Sequence, residues 1–244
     1  QINMIAIIPD VHGRQFWKDI IPRKDEFEKI IFLGDYLDPY GFEGISNLNA
    51  LDNFKEILEF KKENFLQVIL LQGNHDQSYA ISKDICNCRC DVFNYKEIQN
   101  LFKDNFDLFE IFYKFEQNYE RFLFSHAGIA DEWINKYFPN IKANKQLKLL
   151  NKKYKENNIE EVVDLLAPCS SYRGGWDQAG SIVWRDAREL ISKRFGYQIF
   201  GHTMLKTPYV TPNWACLDCK EVIILNDLNE LCNLNGFKLK MYDE

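Results

Sequence analysis

The 244-residue sequence lacks the features that mark several large classes of protein. No apolar run approaches the roughly 18 residues that a membrane-spanning helix needs, so we expect no membrane partner. Positive charge is not in excess: the formal net charge is -6 and the pI is about 5.4, so the overall field does not attract nucleic acid. Internal repeats and low-complexity linkers are also missing, and we expect a single domain over residues 1–244.

The cysteine content does not suit a disulfide framework, because the seven cysteines are an odd number. The first residues, "QINMIAIIPD", form a short β-like run rather than a basic leader, so we expect a cytoplasmic protein with reduced thiols. The spacings in "CNCRC" (86–90) and "CLDC" (216–219) leave a cysteine-based zinc or redox site as an alternative. Neither cluster has a histidine nearby, so we do not favour a zinc site there.

Short apolar runs carry most of the structural signal. Runs rich in Ile, Val, Leu and Phe predict strands that are buried on both faces, and they lie at 4–10, 29–35, 67–76, 121–128 and 197–203. Apolar residues at helical spacing predict an amphipathic helix over 47–64. Residues 107–116 alternate enough to predict a strand in a hairpin with 121–125.

The second half of the chain adds a helical segment and further strands. Apolar residues at helical intervals in a Lys/Asn/Glu-rich background predict helices over 131–166, within a helical insertion or cap at 131–180. The tail at 214–234 predicts strands with an Asn-Asp turn. Strand–helix alternation followed by an antiparallel tail predicts an α/β domain with helices outside the sheet.

Polar residues concentrate where the predicted strands end, in "PDVHG", "GDYLD", "GNHD", "SHAG" and "GHT". All four histidines lie in these motifs: His12, His75, His126 and His202. A lone histidine at a strand end is more often a satisfied polar residue than a ligand. Four of four, with Asp, Asn and Gly beside them, indicate a functional site beyond the carboxyl ends of the strands.

The ordered motifs, which span residues 10–203, resemble the calcineurin-like metallophosphoesterase superfamily. The phosphoprotein phosphatase branch, with the lambda phage phosphatase and the symmetrical dinucleoside tetraphosphatases, is the most similar. The resemblance implies a four-layer αββα sandwich of two mixed sheets flanked by helices. It also implies two divalent transition metal ions where the strands converge, with Mn the first choice and Fe or Zn the alternatives.

The resemblance also assigns the metal ligands. Metal 1 would take Asp10, His12 and Asp35, and metal 2 would take Asp35, Asn74, His126 and His202. Asp10 and His12 are two residues apart, and on an extended segment they would point the same way. Many superfamily members have a second histidine where this chain has Met204, so we expect water to complete metal 1. A metal-bridging hydroxide would then attack phosphorus in line.

His75 is the candidate general acid. Adjacent residues on an extended chain point to opposite sides, so when Asn74 turns to a metal, His75 faces the leaving group. Family analogy gives Asp38 as the partner that keeps the imidazole protonated. The alternative for Asp38 is a solvated loop residue before Pro39.

The expected phosphate clamp departs from the family pattern. The protein phosphatases usually carry Arg where this chain has Pro39. Arg185, in "SIVWRDAREL", resembles another arginine of that branch and is the expected phosphate ligand. Arg14, Arg173 and Arg188 are possible substitutes, although Arg188 reads more readily as a surface residue.

These residues predict a metal-dependent phosphatase that acts on phosphoproteins or small phosphomonoesters. A nucleotide or dinucleoside polyphosphate hydrolase is the alternative, because the resemblance covers both. A catalytically inactive binding module on the same fold is a remote alternative, and the intact motif residues argue against it.

Overall fold

Two mixed β-sheets form the centre of the computed structural model, which describes residues 4–81 and 89–243. The first sheet has the order β11-β10-β1-β2-β3-β4, with β1 Ile5–Ile8, β2 Lys29–Phe32, β3 Val68–Leu71, β4 Phe109–Glu110, β10 Ile223–Leu225 and β11 Leu231–Asn233. The second has the order β5-β6-β7-β9-β8, with β5 Phe112–Gln117, β6 Glu120–Ser125, β7 Tyr197–Phe200, β8 Tyr209–Val210 and β9 Trp214–Cys216. Strands β1 to β4 are parallel, as are β6, β7 and β9, so their carboxyl ends lie at one edge of each sheet.

The helices flank the sheets. The α-helices are α1 Asn47–Glu63, α2 Asn74–Ala80, α3 Tyr95–Asp104, α4 Asp131–Tyr137, α5 Ala143–Glu156 and α6 Ile159–Leu166. Short 3-10 helices lie at Phe16–Glu26, Gly41–Glu43, Phe106–Leu108, Ser171–Arg173 and Lys193–Phe195. No helix in the described part of the chain combines the length and the apolar character needed to cross a membrane.

Alternate residues of each strand enter different layers of the core. Ile5 and Ile7 of β1 pack in a cluster with Phe124 and Ile199 of the second sheet. Ala6 of the same strand instead joins the cluster that contains the buried face of α1. Helices α4 to α6 cover the other side of the second sheet in a third cluster. The predicted four-layer sandwich is therefore confirmed, and its strands are buried on both faces because both faces are covered.

Helix α1 confirms the prediction for 47–64. It begins after Ser46, whose Oγ accepts a hydrogen bond from the backbone N–H of Asn49 at 3.1 Å. Leu51, Phe54 and Leu58 are buried at helical spacing against the first sheet. The cap satisfies one free N–H at the helix start, and the apolar stripe fixes the face that packs.

The predicted strand at 107–116 is wrong in one respect, because the chain divides it between the two sheets. β4 pairs in parallel with β3 of the first sheet, and after Ile111 β5 pairs with β6 of the second. The hairpin with β6 is thus confirmed only for Phe112–Gln117. Glu110 and Phe112, on the two sides of Ile111, are both half-buried. The polar and apolar residues therefore alternate without a break, and the sequence does not show where the chain passes from one sheet to the other.

The segment 131–180 contains three α-helices, up to Leu166, followed by a loop that returns toward the strand ends. In the tail, β10 and β11 form an antiparallel hairpin, and the predicted turn follows β10. There, Asn226 Oδ1 accepts hydrogen bonds from the backbone N–H groups of Leu228 and Glu230. The Asn side chain stabilises the turn by replacing a backbone acceptor.

Candidate metal centre and active site

A cavity of about 720 Å³ opens at the edge where the parallel strands of both sheets end. Its lining includes seven of the predicted residues: Asp10, His12, Asp35, Asn74, His75, Arg173 and His202. His126 is fully buried, and its Nε2 lies 3.0 Å from Asn74 Oδ1 and 3.2 Å from His202 Nδ1. The structure therefore brings together residues that span 192 positions of the sequence.

Asp35 lies at the centre of this cluster. Its Oδ2 is 3.6 Å from His12 Nε2 and 3.5 Å from His126 Nε2. Two groups of potential metal ligands share it, and within each group the ligand atoms lie within 4.8 Å of one another: His12, Asp35 and His75; and Asp35, His126 and His202. A carboxylate common to two adjoining groups is suited to bridge two cations.

Asp10 belongs to neither three-residue group in this arrangement. Its Oδ1 accepts the backbone N–H of His202 at 2.9 Å, so Asp10 also positions the loop that carries His202. His75 occupies the first group in its place. Two of the expected ligands of metal 1, His12 and Asp35, thus lie together, and the imidazole of His75 lies with them where Asp10 was expected.

The imidazoles are in the form that metal binding requires. The carbonyl oxygens of Leu37 and Leu33 accept hydrogen bonds from Nδ1 of His12 and His126, both at 2.8 Å, which leaves each Nε2 as a lone-pair donor. Burial lowers the pKa of His12 to about 3 and also lowers the pKa of His126 and of His202. Neutral imidazole is the metal-binding form.

The surroundings also fit a cation. The Nε2 of His202 is buried without a hydrogen-bond partner, which is costly unless a further group satisfies it. A Cβ at position 73 would clash with Asp35 Oδ1, and one at position 201 would clash with Asp10 Oδ1. Gly73 and Gly201 therefore allow carboxylates to approach the backbone where the donor atoms converge.

The motif residues leave the extended conformation earlier than predicted. Four of the motif residues have a positive backbone φ: 44° at His12, 53° at Asp35, 59° at Asp38 and 64° at His202. Strand β1 ends at Ile8, β2 at Phe32 and β7 at Phe200, all before these positions. The expected extended segment from Asp10 to His12 is wrong, because His12 has a left-handed backbone, although both residues line the cavity. Such strain concentrates at functional sites.

Asp76 organises this turn region, a role that the sequence motifs did not reveal. Its Oδ2 accepts the backbone N–H groups of Asp35 and Gly73, both at 2.7 Å, and its Oδ1 accepts that of Tyr36 at 3.1 Å. Burial raises its pKa to about 7, against the lowering effect of these three N–H groups. The available signal was an acid three residues after Gly73, a helix-capping position.

Asn74 and His75 do point to different partners, but for another reason than the one expected. The predicted strand ends at Leu71, and both residues lie in the first turn of α2, where neighbours are about 100° apart around the axis. His75 Nδ1 is 2.7 Å from Asp38 Oδ2, whereas Asn74 Oδ1 faces His126. Asp38 is only 2% exposed, which excludes the solvated-loop alternative.

The side chains of His75 and Asp38 form a buried pair. Burial raises the pKa of Asp38 to about 7 and lowers the pKa of His75 to about 3, because it disfavours each charge taken alone. The hydroxyl of Tyr79 donates to Asp38 Oδ1 at 2.5 Å and fixes the carboxylate. His75 is thereby oriented with its second ring nitrogen away from Asp38.

Arg185 does not reach the cavity, contrary to the expectation that it binds phosphate. It is 1% exposed, and its guanidinium donates to the carbonyl oxygens of Ala127, Asp186 and Glu189. Its guanidinium carbon lies 4.5 Å from the ring centroid of Phe200. Burial lowers the pKa of Arg185 to about 10, and the residue acts as a structural crosslink.

The other arginines expected to bind phosphate, Arg14, Arg173 and Arg188, each pair with a carboxylate of the protein. Arg14 donates to both carboxylate oxygens of Glu43, and Arg188, which is largely exposed, pairs with Asp186. Arg173 lines the cavity, but it pairs with Asp186 at 2.9 Å and donates to the carbonyl oxygen of His202.

The motifs did not assign the cavity residues Tyr40 and Arg89. Tyr40 lies outside the motifs, and Arg89 lies within "CNCRC", whose cysteines rather than its arginine suggested a site. Only the tertiary structure shows their position. Among the described residues, neither ligand group contains a cysteine, and Met204 is also in neither. Cys86 and Cys88 lie outside the described residues.

The fold and this cluster combine an α/β sandwich with two adjoining groups of potential metal ligands at the strand ends. The model of the calcineurin-like phosphoesterase family matches residues 4–206, so the chain belongs to this family and is a metal-dependent phosphoesterase. The resemblance inferred from the motifs is thereby confirmed.

Solved structures with the same fold include a cold-active protein tyrosine phosphatase, at 16% identity and a TM-score of 0.61, covering 95% of this chain and 75% of that one. Another is a hypothetical protein, PH1004, from Pyrococcus horikoshii OT3, at 10% identity and a TM-score of 0.50, covering 97% and 89%. At these identities the likeness concerns the fold. A search of curated proteins finds no match.

Replacing Asp76 by Ala tests the support of the metal centre. The change leaves three buried N–H groups without an acceptor, and we expect the free energy of unfolding to fall by about 2–3 kcal/mol or more. Metal affinity should fall by about 10–100-fold, the usual cost of losing an outer-shell partner. Urea unfolding and metal titration measure both effects, with Asp52→Ala on the exposed face of α1 as the control. Unchanged metal affinity in a folded Asp76→Ala protein would contradict this role.

Arg185→Ala separates a structural role from phosphate binding. Because three carbonyl groups lose their donor, we expect the free energy of unfolding to fall by about 3 kcal/mol. Arg188→Ala, in the same segment but exposed, should change it by less than about 0.5 kcal/mol. Chemical denaturation gives these values, and KM for a phosphomonoester should stay unchanged wherever Arg185→Ala is folded. A stable variant with a raised KM would return Arg185 to the substrate site.

Proposed function

We propose that the protein is a binuclear metal-dependent phosphatase that hydrolyses phosphomonoesters carried by proteins or small molecules. The observation that carries this proposal is the position of Asp35, whose carboxylate is shared by two groups of ligand atoms at the base of one cavity. Family membership supplies the phosphoester chemistry, and the shared carboxylate supports the use of two ions.

The donor set supports the identity of the ions. Metal 1 would be held by Asp10, His12 and Asp35, and metal 2 by Asp35, Asn74, His126 and His202. A mixture of imidazole nitrogens and carboxylate or amide oxygens favours a transition ion over Ca²⁺ or Mg²⁺, and we propose Mn²⁺, with Fe or Zn as alternatives. When bound, such a pair of ions polarises phosphate oxygens and lowers the pKa of a water molecule.

The chain itself supplies the proton for the leaving group. His75 is held through Nδ1 by Asp38, and Tyr79 in turn holds Asp38, so the imidazole keeps one orientation at the cavity wall. A proton on Nε2 of His75 is then available to the departing oxygen, while the Nδ1–H stays bonded to Asp38. The negative carboxylate stabilises the imidazolium that this step requires.

The cavity supports a substrate larger than phosphate alone. Its volume of about 720 Å³ lies within the usual range for ligand sites. One wall is formed by Gly174 and Gly175, next to Trp176, whose side chain is 99% exposed. An exposed aromatic ring that follows the cavity wall in sequence suits contact with the body of a phosphorylated protein or small molecule.

Metal content tests the binuclear centre. After loading with Mn²⁺, elemental analysis of the pure protein should give close to two ions per chain. His126→Asn should remove metal 2 and abolish turnover, because His126 is one of the buried ligands. Cys219→Ser is the control for a cysteine-based site and should change neither value. A folded protein with no bound metal would refute the binuclear proposal.

The role of His75 is tested by varying the leaving group. General acid catalysis supplies about 10²–10⁴-fold, and p-nitrophenolate needs a proton far less than an alkoxide does. We therefore expect His75→Asn to lose such a factor on phosphoserine and much less on p-nitrophenyl phosphate, with metal content unchanged. Asp38→Asn should show the same pattern more mildly. Equal losses on both esters would mean that His75 stabilises charge without donating the proton.

A further inference from the structure

None of the arginines expected to bind phosphate offers an unpaired positive charge to the cavity. Arg185 is buried away from the cavity, and Pro39 has no guanidinium. Arg14 and Arg173 each pair with a carboxylate, of Glu43 and of Asp186, which offsets their charge. A phosphate anion still needs donors on the side of the cavity away from the metal ligands.

Arg89 lies where such a donor is needed. It lines the cavity, and its Nη2 donates to the carbonyl oxygen of Asp38 at 3.1 Å. Its guanidinium carbon is 3.8 Å from the ring centroid of Tyr40. Arg89 thus contacts the residues on both sides of Pro39, so its charge occupies the neighbourhood of the missing arginine.

The guanidinium retains its capacity to bind an anion. Among the described residues, no carboxylate forms an ion pair with Arg89, in contrast to Arg14 and Arg173. Arginine has five N–H donors, and the contacts with the carbonyl oxygen of Asp38 and with Tyr40 do not engage all of them. Stacking on Tyr40 restricts the plane of the guanidinium, which lowers the entropy lost when it binds two phosphate oxygens.

The backbone after Arg89 is fastened to the same catalytic group. The N–H of Asp91 donates to the hydroxyl of Tyr79 at 2.7 Å, and that hydroxyl donates to Asp38. Cys90 Sγ donates to Ser78 Oγ at 3.3 Å, within helix α2. These bonds fix the position of Arg89 relative to His75 and Asp38, as a substrate-binding group requires.

We propose that Arg89 binds the phosphate group of the substrate, in place of the arginine that Pro39 replaces. This inference rests on the proposed phosphatase function for its setting. It requires only that inorganic phosphate or a phosphoester enters the cavity. The guanidinium would hold two phosphate oxygens from the part of the cavity lined by Tyr40, and its charge would stabilise the extra negative charge of the transition state.

The experiment compares Arg89→Ala, Arg89→Lys and the control Arg121→Ala, which removes an exposed arginine on β6. In the Mn²⁺-loaded protein, Arg89→Ala should raise the inhibition constant of inorganic phosphate by at least about tenfold. It should also lower kcat/KM for p-nitrophenyl phosphate by about 10²-fold or more. For both quantities, Arg89→Lys should lie between Arg89→Ala and the parent protein, because lysine keeps the charge but loses the paired donors. Arg121→Ala should match the parent protein.

Stability and metal content distinguish binding from folding. Arg89 is exposed, so Arg89→Ala should keep the parent Tm and the parent metal count. If no phosphoester is hydrolysed, the phosphatase proposal fails, and calorimetric titration of the metal-loaded proteins with inorganic phosphate still decides the role of Arg89. Phosphate affinity within twofold of the parent in Arg89→Ala would overturn the inference. So would equal loss in Arg121→Ala.

Discussion

The carboxylate of Asp76 is the interaction on which the site depends. Through its two oxygens it accepts three backbone N–H groups, two from the turn after β2 and one from the turn that starts α2. These turns carry Asp35 and Asn74, which contribute to the proposed metal centre. Asp35 has a left-handed backbone, which costs of order 1–3 kcal/mol and persists only when the surroundings enforce it. A buried acceptor that engages both turns provides that enforcement.

Hydrogen bonds between side chains and the backbone also hold the remaining turns. Asp10 accepts the N–H of His202, and the carbonyl oxygens of Leu37 and Leu33 orient His12 and His126. Asp10, His12 and His126 are therefore each held by a backbone group. A rigid arrangement of donors reduces the reorganisation needed when charge develops on a bound phosphate.

The sequence was sufficient to predict the buried strands, helix α1 and the cluster of histidines, because apolar periodicity and polar strand ends are local signals. The two-sheet sandwich was implied by the resemblance of the ordered motifs. It was insufficient where tertiary contacts decide. Asp76 acts on Asp35, 41 positions earlier in the chain, and Arg89 approaches Pro39 only in the folded protein. Arg185 looked functional within its motif, but three carbonyl groups bind it in the core. The left-handed turns have no distinct residue signature beyond glycine.

The division of the ligands between the two sheets has a thermodynamic consequence. Asp35 and Asn74 follow strands of the first sheet, whereas His126 and His202 follow strands of the second. An ion held by all four would crosslink the two halves of the sandwich, much as a disulfide crosslinks two segments. It would bind the native arrangement and not the separated sheets. The free energy of unfolding would therefore depend in part on the free concentration of metal. Scarcity of the ion would then weaken the fold as well as the chemistry.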